Sequence, residues 1–252
     1  MAVFFSIFVA IFNLKCYYKY MKIFAISDLH ISTDTNKPMD IFGGNWVGYL
    51  EKIIDNWESR VSEDDVVLIG GDISWAMDLD EAKKDISKFS FLNGKKVLVK
   101  GNHDYWWSGI GKVRDMLPQN MYALQNDSIR FDGVVICGSR CWSVPGSPDF
   151  KDKDRKIYNR EVERLRLSLK SAKNSMRDGD QLIALVHYPP FNAKREPSLF
   201  TNLFEEYGVN IVIYGHIHGK DARADKLVNL NGIKYYLTSC DKIENKLVEI
   251  EL

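Results

Sequence analysis

Five histidines occur in 252 residues, and every one follows an apolar run. "KIFAIS" leads into Asp28-Leu29-His30 and "KKVLVK" into Gly101-Asn102-His103-Asp104. "QLIALV" leads into His187, and "VNIVIY" into Gly215-His216-Ile217-His218. A further run, "DVVLI", ends in Gly70-Gly71-Asp72. Imidazole, carboxylate and amide oxygen are donors that suit borderline divalent cations such as Mn, Fe, Zn or Co. The set is too large for one tetrahedral zinc. Two ions about 3.5–4 Å apart, bridged by a carboxylate, would use all of it. Each motif alone has an ordinary explanation. D-x-H arises by chance, Gly-Asp after a strand is a common turn or cap, and a single His before two prolines is more often structural. The joint pattern has no such explanation, because a fold gains no stability from gathering polar groups at one edge unless they are paired or bound.

The elements that position these groups are legible in the hydrophobic pattern. Residues 22–27, 65–70, 95–100, 133–138, 181–187 and 209–215 predict buried strands. Residues 46–60, 78–92, 155–176 and 199–207 carry apolar side chains at helical spacing. Their alternation predicts an α/β layered domain, whose ligands bind beyond the C-terminal ends of the strands. The final segments "ADKLVNL", "IKYYLTS" and "NKLVEIEL" predict an antiparallel meander. "PGSPDFKDKDR" (145–155) predicts a polar surface loop able to act as a lid.

Hydrophobic content of 45%, charged content of 27% and a formal net charge of +0 describe an ordinary globular chain. No global field draws it to polynucleotides or an anionic membrane. Cys16, Cys137, Cys141 and Cys240 form no CxxC pair and read as reduced thiols, so a cytoplasmic location is expected. The opening "MAVFFSIFVAIF" is too short for a spanning helix of about 20 residues. It also lacks the basic flank and the small-x-small site of a signal peptide. Residues 1–20 are therefore expected to be an upstream extension or a start-site artefact, with a weak membrane anchor as the alternative. Residues 21–252 are expected to form a single domain.

In this order, D-x-H, GD, GNHD, an isolated His and GHxH resemble the motif series of the calcineurin-like metallophosphoesterases, from Asp28 to His218. The resemblance implies a four-layer α/β/β/α sandwich with a dinuclear metal centre. By analogy Asp28, His30 and His218 hold one ion, Asn102, His187 and His216 hold the other, and Asp72 bridges them. His103 matches the proton donor to the leaving group, and a metal-bridging hydroxide is the implied nucleophile, attacking phosphorus in line. Asp104 either orients the His103 imidazole or caps a helix. Protein phosphatases of this family carry GDxxDRG, whereas this chain has "GGDISWAMD", with Trp75 and Ala76 in place of the last Asp and Arg. That departure argues against the protein phosphatase branch. "GGDISWAM" and "GNHDYWW" are similar instead to a group of bacterial predicted phosphohydrolases.

Trp75, Tyr105, Trp106, Trp107 and Trp142 either stack on a flat substrate group or belong to the core. Arg140, Arg155 and Arg195 are candidate phosphate contacts. The expected function is metal-dependent hydrolysis of a small phosphodiester or phosphomonoester, with manganese among the candidate ions. No nucleic acid polymer and no stable membrane insertion are expected. Two alternatives remain open: a membrane-surface lipid pyrophosphate hydrolase tethered by residues 1–20, and a non-catalytic metal-binding scaffold. A scaffold would be expected to lose ligands, and none is missing.

Overall fold

The computed structural model describes residues 21–33, 37–219, 222 and 224–252. The expectations for residues 1–20, Cys16 included, lie outside them. Four strands run parallel in the first sheet: β1 (Ile23–Ile26), β2 (Val66–Ile69), β3 (Lys95–Leu98) and β4 (Met121–Ala123). A short β11 (Val248–Glu249) pairs antiparallel with β1 at the edge. The second sheet has the order β5-β6-β7-β8-β10-β9. Its centre is parallel: β6 (Val134–Ser139), β7 (Gln181–Val186), β8 (Ile211–Tyr214) and β10 (Ile233–Leu237). Its edges, β5 (Ser128–Phe131) and β9 (Leu227–Leu230), are antiparallel to their neighbours.

Alternation of side chains along each strand builds four layers. Ile23, Ala25, Val66, Leu68 and Val97 face Ile136, Ile183, Leu185, Ile211 and Ile213 across the gap between the sheets. Phe24, Ile26, Val67, Ile69 and Leu98 turn the other way. They pack with residues of α1 (Tyr49–Arg60), α2 (Leu79–Ser87) and α3 (Ile110–Met116), Trp57 and Ile86 among them. On the far side Val135, Cys137, Leu182, Ala184 and Val212 pack with α4 (Arg155–Ser175) and α5 (Leu199–Glu206). Strands covered on both faces read as unbroken apolar runs, which is why they stood out in the sequence. Side-chain caps fix two of the helix starts: Asp78 accepts from Asp80 N and Glu81 N, and Ser198 from Phe200 N and Thr201 N.

The expected terminal meander is corrected. β9 and β10 do form an antiparallel hairpin, but "NKLVEIEL" leaves that sheet and joins the first one. The cause lies just after β10. Ser27 N donates to Thr238 O at 2.8 Å, Cys240 N to Ser27 O at 3.0 Å, and Ser27 pairs with Ser239 in a parallel bridge. This stitch carries the chain from one sheet to the other, and the next strand fills the free edge of β1. Ile250 N then donates to Ile23 O at 2.8 Å, and Glu249 pairs with Lys22 at 2.9 Å and Arg60 at 3.2 Å.

Several boundaries also shift. The first helix starts at Tyr49, after a 3-10 turn at Gly44–Trp46, and the second stops at Ser87. Residues 145–154 form turns and a 3-10 segment ahead of α4. Among the described residues no helix is long and apolar enough to cross a membrane. Cys137, Cys141 and Cys240 are buried free thiols.

Candidate functional site

Every expected site residue lies just beyond a parallel strand, and the stitch at Ser27 brings the edges of the two sheets together. The segments after β1 and β2 run side by side: Asp28 N donates to Gly71 O at 3.0 Å and His30 N to Asp72 O at 2.9 Å. Asp28, His30, Asp72 and His216 all have left-handed backbone, with φ of 59°, 46°, 50° and 68°. Asp, Asn and His tolerate that region better than most residues, and such strain concentrates at functional sites. Two glycines make the approach possible. A Cβ on Gly101 would fall on the backbone N and Oδ1 of Asp72, and one on Gly215 would lie 2.6 Å from Asp28 Oδ2.

Donor atoms converge in two overlapping groups. Asp28, His30 and His218 place one atom each within 4.8 Å of one another, and so do Asp28, Asp72 and His187. Asn102 Oδ1 lies 2.8 Å from His187 Nε2 and 2.9 Å from His216 Nδ1. Asp72 Oδ2 lies between the groups, 3.8 Å from His30 Nε2 and 3.4 Å from His187 Nε2. His103 stands beside them, its N–H donating to Asp72 Oδ1 at 2.7 Å. All eight residues singled out in the sequence are brought together.

The calcineurin-like phosphoesterase family model matches residues 21–220. This chain belongs to that family. The phosphoesterase is 27% identical over 154 residues to an uncharacterized protein of Methanocaldococcus jannaschii, covering 56% of this chain and 82% of the relative. Its fold is similar to that of a Thermus thermophilus protein, with a TM-score of 0.59 and 12% identity over 92% of this chain and 98% of the other. The phosphopantetheinyl hydrolase of Mycobacterium tuberculosis is similar too, with a TM-score of 0.54 and 14% identity over 91% of this chain and 95% of the other. Family membership makes this chain a metal-dependent phosphoester hydrolase.

The electrostatics of the phosphoesterase's own residues fit a cation. Both ring nitrogens of His30 and Oδ2 of Asp72 are buried without a hydrogen-bond partner, a costly state for polar atoms. His187 Nδ1 donates to Gly70 O at 2.9 Å, because that carbonyl can only accept. Its Nε2 is thereby left facing two further acceptors, on Asn102 and Asp72. Burial pushes His187 down, but Asp72 and Asp28 outweigh it and raise it to about 9. Burial would lift Asp72, yet His187, His30 and the His103 N–H hold it well below the usual carboxylate range. Asp28, pushed up by burial against the pull of His187, reaches about 7. His30 and His216 are pushed down to about 3, chiefly by burial, so their lone pairs stay free. Clustered lone pairs that attract positive charge are the donor set of a divalent metal site.

Neither expectation for Asp104 holds. Its fully buried carboxylate ties two loops together, with Oδ1 accepting from Ile73 N at 2.8 Å, Ser74 N at 3.2 Å and Trp106 Nε1 at 3.0 Å. Oδ2 accepts from Gly101 N at 2.7 Å, while His103 Nδ1 has no hydrogen-bond partner. No helix begins there, since α3 starts at Ile110.

The aromatic residues divide. Trp106 and Trp107 are core, whereas Trp75 stacks on His30 at 4.9 Å and tilts against His103 at 4.5 Å between ring centroids. Trp142 lies 5.0 Å from Tyr188, whose ring is 4.0 Å from that of His216, and Tyr105 is exposed. Trp46, absent from the sequence-derived site, meets His30 and His218 edge-on at 6.0 and 6.2 Å. No motif marks it. Of the candidate phosphate contacts, Arg140 pairs with Glu161 at 3.2 Å, Arg155 lies over Phe150 and Arg195 pairs with Asp225.

Asp104→Asn replaces one accepting oxygen by a donor that faces N–H groups. Leaving a buried polar group unsatisfied costs about 1–3 kcal/mol, so this variant is expected to lose that much stability. Urea denaturation measures it. Unchanged stability would show that the four bonds to Asp104 do not hold the loops.

Proposed function

We propose that residues 21–252 form one catalytic domain that hydrolyses a small phosphomonoester or phosphodiester with the aid of two divalent metal ions. Asp28, His30 and His218 hold one ion, and Asn102, His187 and His216 hold the other. Asp72, whose Oδ2 lies between the two groups of donors, would be shared by both ions. The observation that carries this reading is the convergence of donor atoms from five strand ends, among which both ring nitrogens of His30 and Oδ2 of Asp72 are buried without a hydrogen-bond partner. When bound, the ions supply Lewis acidity, which activates water near neutral pH and neutralises phosphoryl oxygens.

The protein's own groups do the rest. The Gly70 carbonyl fixes the His187 tautomer, so that its Nε2 faces the cluster. The His216 N–H grips Asp28 at 3.0 Å, and the His103 N–H grips Asp72 at 2.7 Å, so neither carboxylate can rotate away. His103, half-buried and packed against Trp75, donates a proton to the leaving oxygen as its bond to phosphorus breaks. A screen of nucleotides, cyclic nucleotides and phosphomonoesters with added Mn, Fe, Zn or Co tests the reading. Metal-dependent turnover of at least one class is expected, and none with any metal would overturn it.

The bridging position of Asp72 predicts an asymmetry in metal content. Asp72→Ala is expected to weaken both sites, whereas His30→Ala weakens mainly one. Elemental analysis of the purified variants distinguishes them, and two equivalents retained by Asp72→Ala would sink the bridging assignment. The role of His103 shows in the leaving group instead. General acid catalysis contributes about 10²–10⁴-fold, so His103→Asn is expected to slow an alkyl phosphoester by about that factor. The p-nitrophenyl ester, whose leaving group departs almost unaided, is expected to lose far less, with both metals still bound. Equal losses on the two esters would contradict the assignment.

A further inference from the structure

Two separate cavities, with no lining residue in common, open beside the donor cluster. One, of about 520 Å³, borders His30 and Trp46 and is lined by charged residues, Lys37, Lys88, Asp40 and Glu51 among them. The other, of about 480 Å³, borders His216 and is walled by Tyr188, Phe191, Tyr214, Ile217 and Val228. His103 belongs with the first cavity. Its ring lies 5.6 Å from that of His30 and 4.5 Å from that of Trp75, over which Lys37 Nζ stands at 4.4 Å. His216 belongs with the second, its ring 5.1 Å from His187 and 4.0 Å from Tyr188.

In-line displacement places the leaving oxygen beside the proton donor, opposite the entering water. The substituents that stay on phosphorus lie across that axis. A group in the apolar pocket beside His216 is therefore not the group that leaves towards His103. We infer that this pocket holds the retained organic group of a phosphodiester, and that the group is uncharged and apolar or aromatic. The inference rests on the hydrolase reading above and deepens it by naming the substrate class.

Charge supports the choice of occupant. Among the described residues lining the pocket, the charged ones are Asp149, Arg195 and Asp225. Arg195 is already paired with Asp225, so among the described lining residues no cation is left over for a second phosphoryl group. The volume falls in the range of small-ligand sites, about 300–1,000 Å³, and the wall is aromatic and aliphatic. In the reaction the water oxygen bonds to phosphorus and gives up a proton. The bond from phosphorus to the leaving oxygen breaks, with its electron pair going to that oxygen, and the retained ester bond stays intact in the monoester product.

Three esters with one leaving group test this: p-nitrophenyl phosphate, methyl p-nitrophenyl phosphate and phenyl p-nitrophenyl phosphate. Rates with the metal-loaded enzyme are divided by the spontaneous rates, so that only the retained group differs in effect. The phenyl diester is expected to exceed the methyl diester in kcat/KM by about tenfold or more, as apolar-pocket discrimination allows, and to exceed the monoester as well. Ala193 and Ala224 are exposed and line the same pocket, so Ala193→Trp and Ala224→Trp fill it without entering the core. Both are expected to drive the phenyl-to-methyl ratio towards one. A ratio near one in the unaltered enzyme, or a monoester turned over fastest, would overturn the pocket assignment and leave the hydrolase reading standing. An unchanged ratio in both filling variants would overturn it too, because general damage lowers both esters together. No turnover of any of these esters would overturn the assignment, and the hydrolase reading with it where the screen above also shows none.

Discussion

Asp28 and Asp72 are both fully buried, and the charge of Asp72 adds to burial in raising the affinity of Asp28 for a proton. Two carboxylates withdrawn from water side by side are tolerable only with compensating positive charge or donors nearby. The chain supplies one backbone N–H to each from the opposite sheet edge or the neighbouring loop, His216 to Asp28 and His103 to Asp72. Oδ2 of Asp72 faces His187 and His30, and the ring nitrogens of His30 lack hydrogen-bond partners. Local geometry serves this arrangement, from the left-handed backbone at four of the residues to the missing side chains at Gly101 and Gly215. A cluster so built has little stability to offer by itself, and its chemistry follows from the charge that it still lacks.

Holding such a cluster needs two rigid edges that do not drift apart. The inter-sheet layer of Ile23, Leu68, Val97, Ile183 and Ile213 fixes the spacing of the sheets, and the pairing of Ser27 with Thr238 and Ser239 fixes their edges. The side chains of Ser27 and Thr238 add a hydrogen bond of 2.7 Å at the same point. From the first sheet come Asp28, His30, Asp72, Asn102 and His103, and from the second His187, His216 and His218. Neither sheet holds a complete donor set. The same stitch sets the path of the C-terminus, so the position of β11 and the assembly of the site have one cause.

What was legible in the sequence follows from burial. Strands covered on both faces need apolar residues at every position, so β1, β2, β6, β7 and β8 announced themselves, and the polar residues at their ends stood out by contrast. Short elements gave no such signal. β4 has three residues, β5 is half-buried throughout, and α3 has seven residues after Gly109, so none was marked. Lys96 is wholly buried inside β3, satisfied by the carbonyls of Ser90 and Leu92, which no residue-level pattern reveals. Asp104 looked like a partner for its neighbour His103 because adjacency in sequence suggests contact. Its carboxylate turns instead towards the Ile73, Ser74 and Gly101 amides. The crossing of the last strand depended on a tertiary bridge 212 residues apart in sequence, between Ser27 and Ser239.

The central claim is that the cluster is organised around two cations that share Asp72. Anomalous diffraction from crystals grown with manganese measures this directly. Two peaks are expected, one among Asp28, His30 and His218 and the other among Asn102, His187 and His216, with an Asp72 oxygen contacting both. A single peak at full occupancy, or two peaks with Asp72 bound to only one, would contradict it.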